Sequence, residues 1–253
     1  MINMNQLLEN RLNLAKTAVI LGHVHPDGDC VGSALGLYNY LLAHYPELKT
    51  DIYLDNPDQK FSYLKRFDEI HCGYEEEKRY DLCITCDSSD VERLGAFKPY
   101  FKTAVHTFCV DHHVTNQGFA EENCVEPDAS SASEVVCTLL DMEKIDLAAA
   151  ECFYTGIVHD TGVFKFSCTS GRTMEIAGKL MDKGIDTTEI IDGSFYRKTY
   201  AQNQMLGKAL LGSALLLDGK CVFSSVTKQE MDAYGVTTQD LDGIIDQLRL
   251  TEG

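Results

Sequence analysis

Five of the eight histidines in this 253-residue chain fall in three short clusters that also carry aspartate. His23 and His25 share "HVHPDGD" with Asp27 and Asp29, His112 and His113 follow Asp111 in "VDHH", and His159 precedes Asp160 in "GIVHD". A fourth cluster, "CDSSD", brings Asp87. Carboxylates converging on one place repel one another and are driven toward protonation. A divalent cation removes that conflict. Mixed aspartate and imidazole donors suit Mn²⁺ best, with Mg²⁺, Fe²⁺ or Co²⁺ behind it, and the lack of a cysteine-rich site argues against structural zinc. Four carboxylates and two imidazoles are more than one catalytic ion with open positions needs, so a pair of ions sharing a bridging carboxylate is expected. Each residue also has a plainer use. Asp29 is suited to cap a helix starting at residue 30, and Asp87 or Asp111 could each cap a helix or turn directly after it. His25 and His159, taken singly, are ordinary solvated or backbone-bonded histidines, and His44, His71 and His106 lie outside any cluster.

Strand ends are needed to bring such distant residues together. The apolar runs 17–23, 50–55, 80–87 and 104–111 read as buried strands, and 30–45 reads as a helix with small residues for close packing. Segments 59–67 and 88–97 read as helical crossovers, which makes the sheet parallel and the fold class α/β with flanking helices. In such sheets, ligands sit beyond the carboxyl ends of the strands. The first, third and fourth strands would each deliver Asp or His to that edge. From 130 the chain turns mainly helical, and 195–212 reads as a long helix. "SALLLDGKCVFSSVT" (213–227) then reads as a hairpin around Asp218-Gly219, the start of a smaller α/β lobe.

Bulk properties narrow the partners. A net charge of −17 opposes a duplex-binding surface, yet small anions remain acceptable if bound cations reverse the charge locally. No apolar run has the length of a membrane span, and the N-terminal stretch lacks a signal-peptide pattern, so the expected location is cytoplasmic. The ten cysteines are scattered singly. Cys83 and Cys86 form one C-x-x-C without a second pair, and reduced, buried thiols are the expectation.

"HVHPDGDCVGS", "CDSSD", "VDHHVTN" and "GIVHDTGVF", in this order over about residues 15–200, resemble the four signature motifs of the DHH phosphoesterase superfamily. The length, "SSASEVV" (130–136) and "FYRKTYAQNQMLGKAL" resemble its bacterial nanoRNase/pAp phosphatase branch. The resemblance implies a DHH domain over 1–194, a connecting helix over 195–212 and an incomplete C-terminal lobe over 213–253. It implies an Mn²⁺-dependent phosphoesterase with two Mn²⁺ per chain, Mg²⁺ or Co²⁺ being alternatives. His23 and Asp27 would hold one ion, Asp29, His112 and Asp160 the other, and Asp87 would bridge them. Asp111 would orient an imidazole, His113 would face the scissile phosphate, and Asn116 and Ser131 would contact substrate. The partners implied are short RNA oligonucleotides or pAp, with a homodimer compatible and neither duplex DNA nor a membrane expected. Relatives of the same superfamily cleave cyclic dinucleotides, pyrophosphate or polyphosphate, and a non-catalytic nucleotide-binding module is the reading from another class. One departure stands out: the family's second lobe closes on a GGGH stretch, and this chain ends at "DQLRLTEG" without it, so a C-terminally truncated member is expected.

Overall fold

The structure, a computed structural model, describes residues 3–76, 78–241 and 243–252. The chain divides into two compact units, Met1–Phe195 and Tyr196–Gly253. In chain order the first contains α1 (Met4–Leu14), β1 (Thr17–Leu21), α2 (Gly28–His44), β2 (Lys49–Tyr53), β3 (Leu82–Cys86), α3 (Lys98–Thr103), β4 (His106–Asp111) and β5 (Glu122–Val125). Four helices follow: α4 (Ala132–Leu139), α5 (Leu147–Asp160), α6 (Gly171–Met181) and α7 (Thr187–Ile191).

All five strands run parallel in the order β2-β1-β3-β4-β5. Strand alternation sorts their side chains onto two cores. Ala18 and Ile20 join the large core with α1, α2, α4 and α5, whereas Val19 and Leu21 pack with Tyr53, Phe97 and Tyr100 on the other face. Cys83 and Cys86 point to these opposite faces. Each fully buried aliphatic or aromatic side chain contributes about 1.5–3 kcal/mol relative to exposure. Helix α2 is buried at every position from Gly28 to Leu41. It lies so close to α5 that a Cβ added at Gly32 would stand 2.5 Å from the Cys152 carbonyl and 2.7 Å from the Gly156 nitrogen.

The chain leaves β1 for β2 on one side and returns to β3 on the other. The carboxyl ends of β1 and β3 therefore flank the topological switch point, where the outgoing loops part and leave a crevice.

Two expected helices are absent. Residues 59–67 hold a 3₁₀ turn at Gln59–Phe61, and the chain then passes through Arg66 in the left-handed region at φ 65° before a second 3₁₀ turn at Phe67–Glu69. The stretch 88–97 forms 3₁₀ turns over Glu92–Phe97, broken at Gly95, where φ is 54° and ψ −127°; a true helix starts only at Lys98, with Pro in its first turn. The strand β5 was not anticipated, because only Cys124 of its four residues is buried and the apolar alternation is too short to register.

The second unit comprises α8 (Tyr200–Leu211), the antiparallel pair β6 (Ala214–Leu216) and β7 (Cys221–Phe223), α9 (Lys228–Tyr234) and α10 (Ile244–Arg249). The expected hairpin is present, its turn carried by Leu217, Asp218 and Gly219 at φ 54°, 55° and 84°. Met205, Met231 and Val236 form the buried apolar cluster of this unit among the described residues, and Ala209 is buried as well. Among the described residues, no helix is long and apolar enough to cross a membrane. All ten cysteines are free; Cys72, Cys168 and Cys221 are exposed, contrary to the expectation of uniform burial, because they lie on loops or the edge hairpin.

Candidate metal centre

Four chain segments meet at the switch point. His23 follows β1, and its loop is fastened by a Val24 N–H donated to the Arg93 carbonyl at 2.7 Å. The His23 Nδ1 lies 2.8 Å from the Val24 carbonyl. A carbonyl can only accept, so Nδ1 carries hydrogen and Nε2 is the atom turned toward acids. It stands 3.8 Å from Asp27 Oδ1 and 3.4 Å from Asp87 Oδ2.

Asp27, not Asp29, caps α2: its Oδ1 accepts from the Asp29 and Cys30 amides, both at 3.1 Å. The helix starts two residues earlier than expected because "PDG" supplies the extended cap residue and leaves Asp29 inside the first turn. Asp29 is fully buried and held by a second helix. Its Oδ2 accepts from the Ala132 N–H at 2.5 Å and its Oδ1 from the Ser133 N–H at 2.9 Å, the first amides of α4. That end of α4 carries unpaired donors and the positive end of the helix dipole, both of which favour a carboxylate.

Asp87 follows β3 in the left-handed region, at φ 56°, which is uncommon for a non-glycine residue. Its N–H donates to the Val110 carbonyl at 3.0 Å and so holds that conformation. Its Oδ1 is buried without a hydrogen-bond partner among the described residues. Asp111 ends β4. Its Oδ1 accepts from His113 Nδ1 at 2.7 Å and its Oδ2 from Asn116 Nδ2 at 2.7 Å. The neighbouring His112 turns the other way, with Nε2 at 3.1 Å from Asp160 Oδ2, 3.5 Å from Asp87 Oδ1 and 3.9 Å from Asp29 Oδ2.

Charge within the cluster is balanced by protons on the imidazoles. Burial opposes a charged His23, but its contacts with Asp27 and Asp87 overcome this and raise its pKa. Burial likewise opposes His112, and Asp160, Asp87 and then the charge of Asp29 push it up to about 11. Burial would raise Asp87, but the two histidines hold it well below the usual carboxylate range. Asp29 is pushed up by burial and by the charges of Asp87 and Asp160, and Asp160 is raised mainly by burial. Cations placed here would displace imidazole protons and relieve the repulsion among the acids.

Three sets of donors have all their ligand atoms within 4.8 Å of one another: His23 with Cys30 and Asp87, Asp87 with His112 and His113, and Asp29 with His112 and Asp160. Asp87 belongs to two of them. Hard oxygen and imidazole donors, together with the orphaned buried Asp87 Oδ1, fit divalent cations. Asp27 belongs to none of the three sets, and its carboxylate is partly committed to the helix cap.

The two residues expected to contact substrate have other engagements. Ser131 is fully buried and its hydroxyl accepts the Glu134 N–H at 3.0 Å, capping the helix end that grips Asp29. Asn116 spends its amide on Asp111 and on the Ser88 carbonyl at 3.2 Å, so it steadies Asp111. His159 packs edge-on against Phe61 and Phe195, with Nε2 3.0 Å from Ser194 Oγ. The α4 amides and Cys30 were missed. The only sequence signal for the former is the serine cap in "SSASE", and an isolated cysteine offers none.

The family described as DHH family, N-terminal domain, matches residues 17–157. A protein of Bacillus subtilis (strain 168) named bifunctional oligoribonuclease and PAP phosphatase NrnA is 27% identical over 244 residues, which is 94% of this chain and 75% of that protein. A protein of the same name from Thermus thermophilus is 27% identical over 238 residues, 92% of this chain and 69% of that protein. Among solved structures, an exopolyphosphatase-related protein from Bacteroides fragilis superposes with a TM-score of 0.91 at 23% identity, covering 98% of this chain and 76% of that one.

Proposed function

Since this chain belongs to the DHH family, we propose that it hydrolyses phosphoester bonds in very short oligoribonucleotides, removes the 3′-phosphate of pAp, or does both. The observation that carries this reading is Asp87: a buried carboxylate with one orphaned oxygen, shared by two sets of donors at the switch point of a parallel sheet. The names of the two relatives support the substrate class.

In this reading Asp29, Asp87, Asp160, His23 and His112, with help from Asp27, hold a pair of divalent cations, Mn²⁺ being the expected ion. When bound, such ions neutralise charge on the phosphoryl group and make water more acidic. The remaining work falls to the protein. Asp111 fixes the His113 ring through Nδ1 and, against the effect of partial burial, raises its pKa. With Nδ1 engaged by Asp111, a protonated His113 would present Nε2 to a phosphoryl oxygen or to the departing ribose oxygen. Asn116 donates to the other Asp111 oxygen and so helps hold that carboxylate. Nothing among the described residues forms a long basic track, which suits a substrate of one or a few nucleotides.

The test is Mn²⁺-dependent product release from pAp and from RNA of two to five nucleotides, with Asp87→Asn as the blank. Turnover in the parent chain alone supports the proposal, and the ratio of the two rates selects between phosphatase and oligoribonuclease. Turnover that survives in the blank, or metal binding with no hydrolysis of either substrate, would sink it. The second outcome would leave cyclic dinucleotides, pyrophosphate and polyphosphate as substrates to try, and a binding module if all fail.

A further inference from the structure

Cys30 stands in the first turn of α2, fully buried, and it counts toward the large apolar core. Its surroundings are not those of a packing thiol. Its Sγ accepts the His23 N–H at 3.3 Å. The sulfur, a His23 ring nitrogen and an Asp87 oxygen all lie within 4.8 Å of one another. The space is made by the residue just after β1: a Cβ at Gly22 would lie 2.3 Å from Sγ. Asp87, 2% exposed, turns its Oδ2 toward this spot, 3.4 Å from His23 Nε2, while its Oδ1 faces His112 and His113. A carboxylate and an imidazole beside a buried sulfur form a mixed donor set rather than an apolar pocket.

We propose that Cys30 is a metal donor alongside His23 and Asp87, so that this position, while accepting the Mn²⁺ expected of the centre, binds borderline-soft ions such as Co²⁺, Zn²⁺ or Fe²⁺ more tightly than Mn²⁺ or Mg²⁺. The assignment rests on reading the cluster as a metal centre and adds a thiolate to one of its positions. As the metal–sulfur bond forms, the S–H bond breaks and the proton passes to solvent; no oxidant or reductant is involved. Thiolate is the soft ligand of the common side chains, and it shifts selectivity away from the ions that oxygen donors favour. The second position, with Asp29, His112 and Asp160, contains no sulfur and stays hard. The two positions then differ in the metal they prefer, which a wholly oxygen-and-imidazole cluster does not predict.

The experiment loads the full chain with Co²⁺ as the only metal, measures bound cobalt, and records the near-ultraviolet thiolate-to-cobalt charge-transfer band. The parent chain should show the band, and Cys30→Ser should lose it while still binding cobalt. Cys30→Ala serves as the second variant, and circular dichroism checks that each is folded. Cobalt bound without the band in the parent chain, or a band that survives in both variants, overturns the proposal and leaves the metal centre standing. A parent chain that binds no cobalt overturns both readings at once.

Discussion

Asp87 lies among three imidazoles, with His23 on one oxygen and His112 and His113 near the other. Replacing it by Asn keeps the shape and removes the shared charge. The expected result is loss of at least one of the two ions per chain, read by metal analysis after dialysis; an unchanged content of two would remove Asp87 from its bridging role. His113 should behave differently, because its ring is held by Asp111 and lies at the edge of the donor set. His113→Ala should keep both ions and lower turnover by about 10² or more. Lost metal in that variant would exchange the roles of His112 and His113. Most of these positions were legible from residue type alone, since clustered Asp and His have few other uses. What each oxygen bonds was not legible. Asp27 and Asp29 are two residues apart in one loop, yet one caps its own helix and the other is captured by amides 103 and 104 residues away.

Among the secondary-structure elements, the contact between α2 and α5 does the positioning, since Asp29 lies in the first turn of one helix and Asp160 ends the other. Their spacing depends on glycine meeting backbone. Gly32→Ala would drive a methyl group into the Cys152 carbonyl and the Gly156 backbone, which cannot swing aside as a side chain would. An overpacking penalty of about 1–3 kcal/mol is expected, with a fall in Tm and weaker metal retention, both measurable by thermal melts with and without metal. An unchanged Tm would mean the helices can separate at no cost. The strands of this unit were readable because buried parallel strands are short apolar runs closed by turn residues. Crossovers were less readable. Residues 59–67 and 88–97 have helical composition, but a left-handed Arg66 and the break at Gly95 decide the backbone, and neither is visible in periodicity.

Taken as a whole, the molecule carries 39 acidic against 22 basic residues and concentrates several buried acids at one edge of one sheet. Cations that bind only the folded chain should therefore stabilise it markedly. At about 100 times its Kd, an ion contributes about 2.7 kcal/mol per site. Thermal melts should show Tm rising on addition of Mn²⁺ or Co²⁺ and falling on chelation, whereas a Tm indifferent to both would argue that no such site forms. The candidate ligands of this centre also span the sequence from His23 to Asp160, 137 positions apart (160 − 23), with Asp87 and His112 between. On a translating ribosome that distance takes about 7–27 s to synthesise at typical elongation rates. Until α5 has emerged, the set of Asp29, His112 and Asp160 is incomplete, whereas His23, Cys30 and Asp87 are all made by residue 87. On the metal-centre reading, the two positions would therefore be completed at different times during synthesis, the one that needs Asp160 last.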